Sequence, residues 1–156
     1  MAVKPIPEGY HTVTPYLTVA DAEAQIEFLK RAFGAEENYR HADDKGRVSH
    51  AEVRVGNSML MIGQARDQWT PRPAMFYLYV EDVDAVYQRA VAAGGKSLRE
   101  PTDEPYGDRS SGVEDGQGNQ WWVGTHIEDV SAEEIQRRYS ELAKKQAAGV
   151  GDKAKS

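Results

Sequence analysis

The chain has no cysteine among its 156 residues. That excludes disulfides, a thiolate nucleophile and any cysteine-based zinc or iron–sulfur centre. No apolar run approaches the ~20 residues that a membrane-spanning helix needs. The opening MAVKPIPEGYHT lacks the apolar core of a secretory signal, so the expected location is the cytoplasm. A cationic surplus is missing too: 19 Lys and Arg stand against 25 Asp and Glu, a net charge of −6. Nucleic acids and anionic membranes require clustered cations, so neither is an expected partner. There is no GxSxG, no phosphate-cradling glycine loop and no HExxH. What is present, with 40% hydrophobic residues, is a single domain's worth of chain, able to bury roughly two-thirds of its unfolded surface.

The strongest pattern is a duplication. At an offset of 61, Val19-Ala20-Asp21 overlies Val80-Glu81-Asp82, Ala24 overlies Ala85, and Gly34 overlies Gly95. At 62, Arg47 overlies Arg109, Ser49 overlies Ser111, Glu52 overlies Glu114, and Gly56-Asn57 overlies Gly118-Asn119. One extra loop residue in the second copy accounts for the step. Each copy reads strand, helix, then three strands. Residues 12–19 and 75–80 are β-branched and aromatic with alternation. Asp21 and Asp82 sit where helix N-caps belong, and Gly34 and Gly94-Gly95 stop the helices. The two Gly-Asn pairs each separate strand-like runs, as tight hairpins do. The expected architecture is α+β: two paired βαβββ modules, about 10–63 and 74–127, within a domain of residues 1–130. Ser131 with Glu134 forms a capping box that opens a C-terminal helix over about 131–146. Residues 147–156 read as a disordered tail.

Alternation splits each strand between two faces. Val13, Leu17, Val19, Leu60, Ile62, Phe76, Leu78, Val80, Trp121 and Val123 suit packing under the helices. The other face carries Thr14, Tyr16, Thr18, Met59, Met61, Met75, Tyr77, Tyr79, Gln120 and Trp122. A face left to water would turn polar, whereas Met, Tyr and Trp suit an enclosed cavity for a planar ligand, or a packing surface. His50 and Glu52 share that face and could act as acid and base or as two metal ligands; a simple His–Glu hydrogen bond is the plainer alternative. Glu114 is the mate of Glu52, but Gly112 takes the place of His50, so the halves do not supply a symmetric ligand set. Trp69 in the linker could cover a cavity mouth. Tyr106 with Arg109 could grip an anion, or Asp108 and Arg109 could pair internally. His11 and His41 are expected in solvent at strand ends, and His126 in a surface hydrogen bond.

In this wording the paired modules resemble the vicinal oxygen chelate superfamily of glyoxalases, bleomycin-resistance proteins and extradiol dioxygenases, most closely its PhnB-like branch. The carrying segments are Pro15 through Asp21, Phe28 through Glu36, Ser49 through Asn57, Tyr106 through Arg109, and Asp115 through Val130. The resemblance implies a curved, mostly antiparallel, cleft-bearing sheet, usually in a homodimer. It also implies metal-ligand positions, which fall on Thr14, Met61, Met75 and Trp122. None is a usual hard-metal ligand, so no metal and no cofactor are expected. The favoured reading is metal-free binding of a small, perhaps aromatic, molecule by Thr14, His50, Glu52, Met61, Trp69, Met75, Tyr77, Tyr106, Arg109 and Trp122. Its alternative is a lyase, isomerase or dioxygenase-type enzyme built around His50 and Glu52. A structural dimer that fills its own cleft is a third.

Overall fold

In the computed structural model, which describes residues 2–153, both modules follow the βαβββ plan. The first comprises β1 (Tyr16–Val19), α1 (Ala22–Phe33), β2 (Glu36–Ala42), β3 (Val48–Val55) and β4 (Ser58–Gln64). The second comprises β5 (Met75–Tyr79), α2 (Val83–Ala92), β6 (Lys96–Asp103), β7 (Asp108–Glu114) and β8 (Gln120–His126). Each makes its own four-stranded mixed sheet, in the orders β1-β4-β3-β2 and β5-β8-β7-β6. The strand entering each helix lies parallel to the last strand of its module, and the remaining pairs are antiparallel.

The helices begin where the sequence says. The Asp21 carboxylate accepts from the Ala24 N–H and the Asp82 carboxylate from the Ala85 N–H, each at 3.0 Å. Gly56-Asn57 is a two-residue hairpin, with Val55 opposite Ser58. The corresponding turn in the second module is longer, over 115–119, because Asp115 folds back to accept from the N–H groups of Gln117 and Asn119.

The core lies between the helices and the inner sheet faces and is shared by the modules. Leu17, Val19, Ile26, Leu29, Val53, Ile62, Val113, Trp121 and Val123 are all buried. Phe33 of α1 tilts against Trp121 of β8, and Phe76 stacks on the same ring at 4.5 Å. A buried polar cluster also crosses the boundary. The Gln25 amide donates to Asp115 at 2.9 Å and accepts from the Asn119 amide at 2.8 Å, while the Trp121 indole N–H donates to Asp115 at 2.7 Å. Every buried donor there has a partner, so the cluster fixes one relative placement of the modules.

Two expectations change. β1 begins at Tyr16 rather than Thr12, because Pro15 has no N–H to offer a ladder; Val13, expected on the helix side, is 81% exposed. The C-terminal helix, α3 (Ala132–Lys153), opens on Ser131 as expected, the Glu134 N–H donating to its hydroxyl. It then continues through 147–153, where a disordered tail was expected; residues 154–156 lie outside the described residues. Ala147 and Ala148 favour helix there, and the helix carries on through Gly149 and Gly151. No helix among the described residues is long and apolar enough to cross a membrane.

Candidate functional site

The outer face of each sheet carries an organised cluster. In the first module, register puts Tyr16, Met61, Glu52 and Tyr39 in one row and Gly63 beside His50 in the next. The result is a chain of polar contacts. The Tyr16 hydroxyl lies 3.2 Å from His50 Nδ1, His50 Nε2 lies 3.6 Å from Glu52, and the Tyr10 hydroxyl donates to the other Glu52 oxygen. Burial, reinforced by the hydrogen bond to the Glu52 carboxylate, pushes the Tyr10 pKa up to about 12. His50 and Glu52 are thus neighbours, as the sequence suggests, with a tyrosine at either end. Acid–base chemistry through the pair is geometrically open.

The rings are placed by absent side chains. A Cβ on Gly63 would stand 2.6 Å from the Tyr16 hydroxyl, and one on Gly124 would stand 2.3 Å from the Tyr77 hydroxyl. These pairs are repeat mates at the offset of 61, so both modules lay a tyrosine flat over a glycine. The copies diverge one strand further in. Where the first module has His50, the second has Gly112, and the Trp122 ring occupies that space.

The second module's face is organised around Asp108, only 2% exposed. Its carboxylate accepts from the hydroxyls of Tyr77 and Tyr79, each at 2.9 Å, and pairs with His126 Nδ1 at 2.8 Å. Burial alone would raise the Asp108 pKa, but the hydrogen bonds from His126, Tyr77 and Tyr79 outweigh it and hold the carboxyl below its usual value. His126 also bonds Asp129, and these two carboxylates raise its pKa. Nearby, the Arg99 guanidinium lies 4.9 Å over the Trp122 ring and donates to Ser110, and Tyr106 reaches both Ser110 and Tyr77.

Asp108, Ser110, Arg99 and His126 were not singled out as site residues from the sequence. Asp108 opposite His126 is a property of the β7–β8 register, which no local motif announces. Alternation did carry one signal: neighbours on a strand point to opposite faces. Accordingly Arg109 does not pair with Asp108 but turns to the helix side, binding Asp84 of α2 through two nitrogens and Asp103 through a third. Of the expected ligand-binding set, His50, Glu52 and Met61 gather on the first sheet, and Tyr77, Tyr106 and Trp122 on the second. Thr14 precedes β1 and Met75 opens β5, 66% exposed. No hydrogen bond or ring contact joins the two clusters among the described residues.

Trp69 belongs to a cleft of about 580 Å³ at the β1 side of the first sheet, lined also by Tyr16, Thr18, Gly63, Arg66 and Arg72. Its rim is a tight turn in which the N–H groups of Arg66 and Trp69 each bond the other's carbonyl. Asp67 within the turn takes a left-handed φ of 46°, a conformation Asp tolerates better than most residues. A second cavity of about 690 Å³ is lined by residues of both modules, among them Phe33, Leu60, Phe76, Tyr77, Tyr79 and Trp121.

Comparison with known proteins fits this architecture. The model of the Glyoxalase/Bleomycin resistance protein/Dioxygenase superfamily matches residues 10–123. The chain belongs to that superfamily. It is 33% identical over 139 residues to uncharacterised proteins of Mycobacterium bovis and Mycobacterium tuberculosis, covering 82% of this chain and, respectively, 91% and 82% of theirs. Among solved structures it resembles TioX from a Micromonospora species, with 24% identity, 75% of this chain and 99% of that one, and a TM-score of 0.66. It also resembles a PhnB protein of Bacillus cereus, with 21% identity, 74% and 99% coverage, and a TM-score of 0.60. At such identities the structural likeness speaks for the fold alone.

A divalent metal, which the superfamily resemblance implies, finds poor donors here. Thioethers of Met61 and Met75 are soft, and the Trp122 indole has no lone pair to give. Among the described residues no three His, Asp or Glu side chains converge as a metal-binding group.

Proposed function

We propose that this protein binds a small planar molecule on the aromatic faces of its sheets, without a metal. The observation that carries the reading is the chemistry of those faces: Tyr16, Met75, Tyr77 and Tyr79 stay exposed at 57%, 66%, 42% and 67%, on surfaces where strand alternation would otherwise place polar residues. Flat, polarizable rings held by glycine beneath and hydrogen bonds at the hydroxyl are pre-ordered, so a ligand need not freeze them. The His50–Glu52 and Asp108–His126 groups would orient the ligand's polar atoms.

The working unit in this proposal is a homodimer in the cytoplasm. β5 has no strand on its outer edge, and β1 has there only the Arg72 N–H, bonded to the Thr18 carbonyl at 3.0 Å. Exposed edges flanked by Tyr and Met are what a second copy would cover.

The test is saturation-transfer difference NMR with 2-naphthol on the intact chain and on Tyr16→Ala and Trp122→Ala variants. Saturable transfer that weakens in either variant supports the proposal. Absence of transfer to this probe and to a neutral bicyclic panel overturns it. Turnover of a small carbonyl or aromatic substrate lost in His50→Ala would favour the enzyme reading instead.

A further inference from the structure

We infer that the cleft beside β1 takes the anionic end of the ligand, so that the molecule bound is an aromatic carboxylate. The inference rests on the small-molecule reading above and deepens it. In this acidic chain, Arg40, Arg47, Arg54, Arg99, Arg109, Arg137 and Arg138 are all paired with carboxylates. Four others, Arg31, Arg66, Arg72 and Arg89, make no ion pair among the described residues, and of these Arg66 and Arg72 line the same cleft. No carboxylate side chain lines it with them.

The two arginines differ. Arg66 also borders a neighbouring cavity that holds Asp21, Glu23 and Asp43, which temper its charge. Arg72 has no acidic neighbour in either lining, and its backbone is pinned to β1 by the bond to Thr18. A guanidinium held at its base with its donors uncommitted suits a planar oxyanion, because a carboxylate can accept two parallel N–H bonds from it. Trp69, 57% exposed on the rim, offers a face for the ring attached to that carboxylate. Tyr16 forms the inner wall and bonds His50, so a ligand anchored at Arg72 extends its ring toward the His50–Glu52 pair.

Isothermal titration of the intact protein with 2-naphthoate, and separately with 2-naphthamide, separates charge from shape. The expected result is naphthoate binding at least about tenfold more tightly than the amide, with the gap closing as salt rises. Arg72→Gln, at an exposed position, is expected to remove that preference, its affinity for naphthoate falling to its affinity for the amide. Equal affinity for the two probes, or an undiminished preference in Arg72→Gln, overturns the assignment of an anion site while leaving the planar-ligand reading standing. Binding of neither probe overturns both.

Discussion

Asp108 shows how a single buried residue sets the chemistry of a face. It holds Tyr77, Tyr79 and His126 at once, so Asp108→Ala strands two hydroxyls and an imidazole. The expected loss is about 3 kcal/mol of unfolding free energy by urea titration, near the upper end for removal of a buried acceptor. The conjugate pH effect has a definite sign. The folded pKa of His126 is raised, so its contribution is full below the unfolded value near 6.5 and disappears as pH rises through the folded value. The folded pKa of Asp108 is lowered, so its contribution is present above the unfolded value near 3.8 and is lost as pH falls through the folded value. Urea midpoints of the intact protein and His126→Ala are therefore expected to differ most at about pH 5 to 6 and to converge as pH rises through the raised folded value of His126. A difference that grows toward alkaline pH contradicts the pairing. Gly63→Ala is a gentler perturbation: the added methyl displaces the exposed Tyr16 ring from His50 and costs less than about 1 kcal/mol, while ligand binding at that face falls.

At the scale of elements, the tie between α1 and the turn at 115–119 is the joint between modules. Gln25 is fully buried and answers both Asp115 and Asn119. Gln25→Ala leaves each of them one partner short, and a loss of about 2 to 4 kcal/mol is expected in thermal or urea unfolding. An unfolding profile that splits into two transitions would add that the modules are held in register chiefly by this cluster. The elements themselves were mostly legible in the sequence: Asp caps, glycine stops and Gly56-Asn57 are local signals with local causes. What was missed is tertiary or edge-dependent. β1 is short because Pro15 interrupts its ladder, and α3 carries on through Gly149 and Gly151, which read as breakers in the sequence. The His50–Glu52 pair was readable because both lie on one strand two residues apart. Asp108 and His126 lie on different strands, and only the β7–β8 register brings them together. The Gln25 cluster depends on a cross-module approach that polarity alone would not suggest, since Gln is mostly a surface residue.

For the whole molecule, two sheets with aromatic outer faces and open edges call for a partner copy. Sedimentation equilibrium is expected to give twice the 17.3 kDa chain mass, and Met75→Glu, which places a charge at the β5 edge, is expected to shift the population to monomer. A monomer at all concentrations would confine the ligand to one sheet at a time. The superfamily scaffold does not decide between binding and catalysis, since chemistry resides in the site; here the site offers rings, one histidine–carboxylate pair on each sheet and poor metal donors. The central claim is that a planar molecule occupies those faces, and the methionines report on it directly. Met61 and Met75 lie on the outer faces, Met75 at 66% exposure, and Met59 shares the face of Met61 but is only 6% exposed. The decisive measurement is an NMR titration of isotope-labelled methionine methyl groups with 2-naphthol. Saturable shifts of Met61 or Met75 are the predicted result; no shift at either would contradict it.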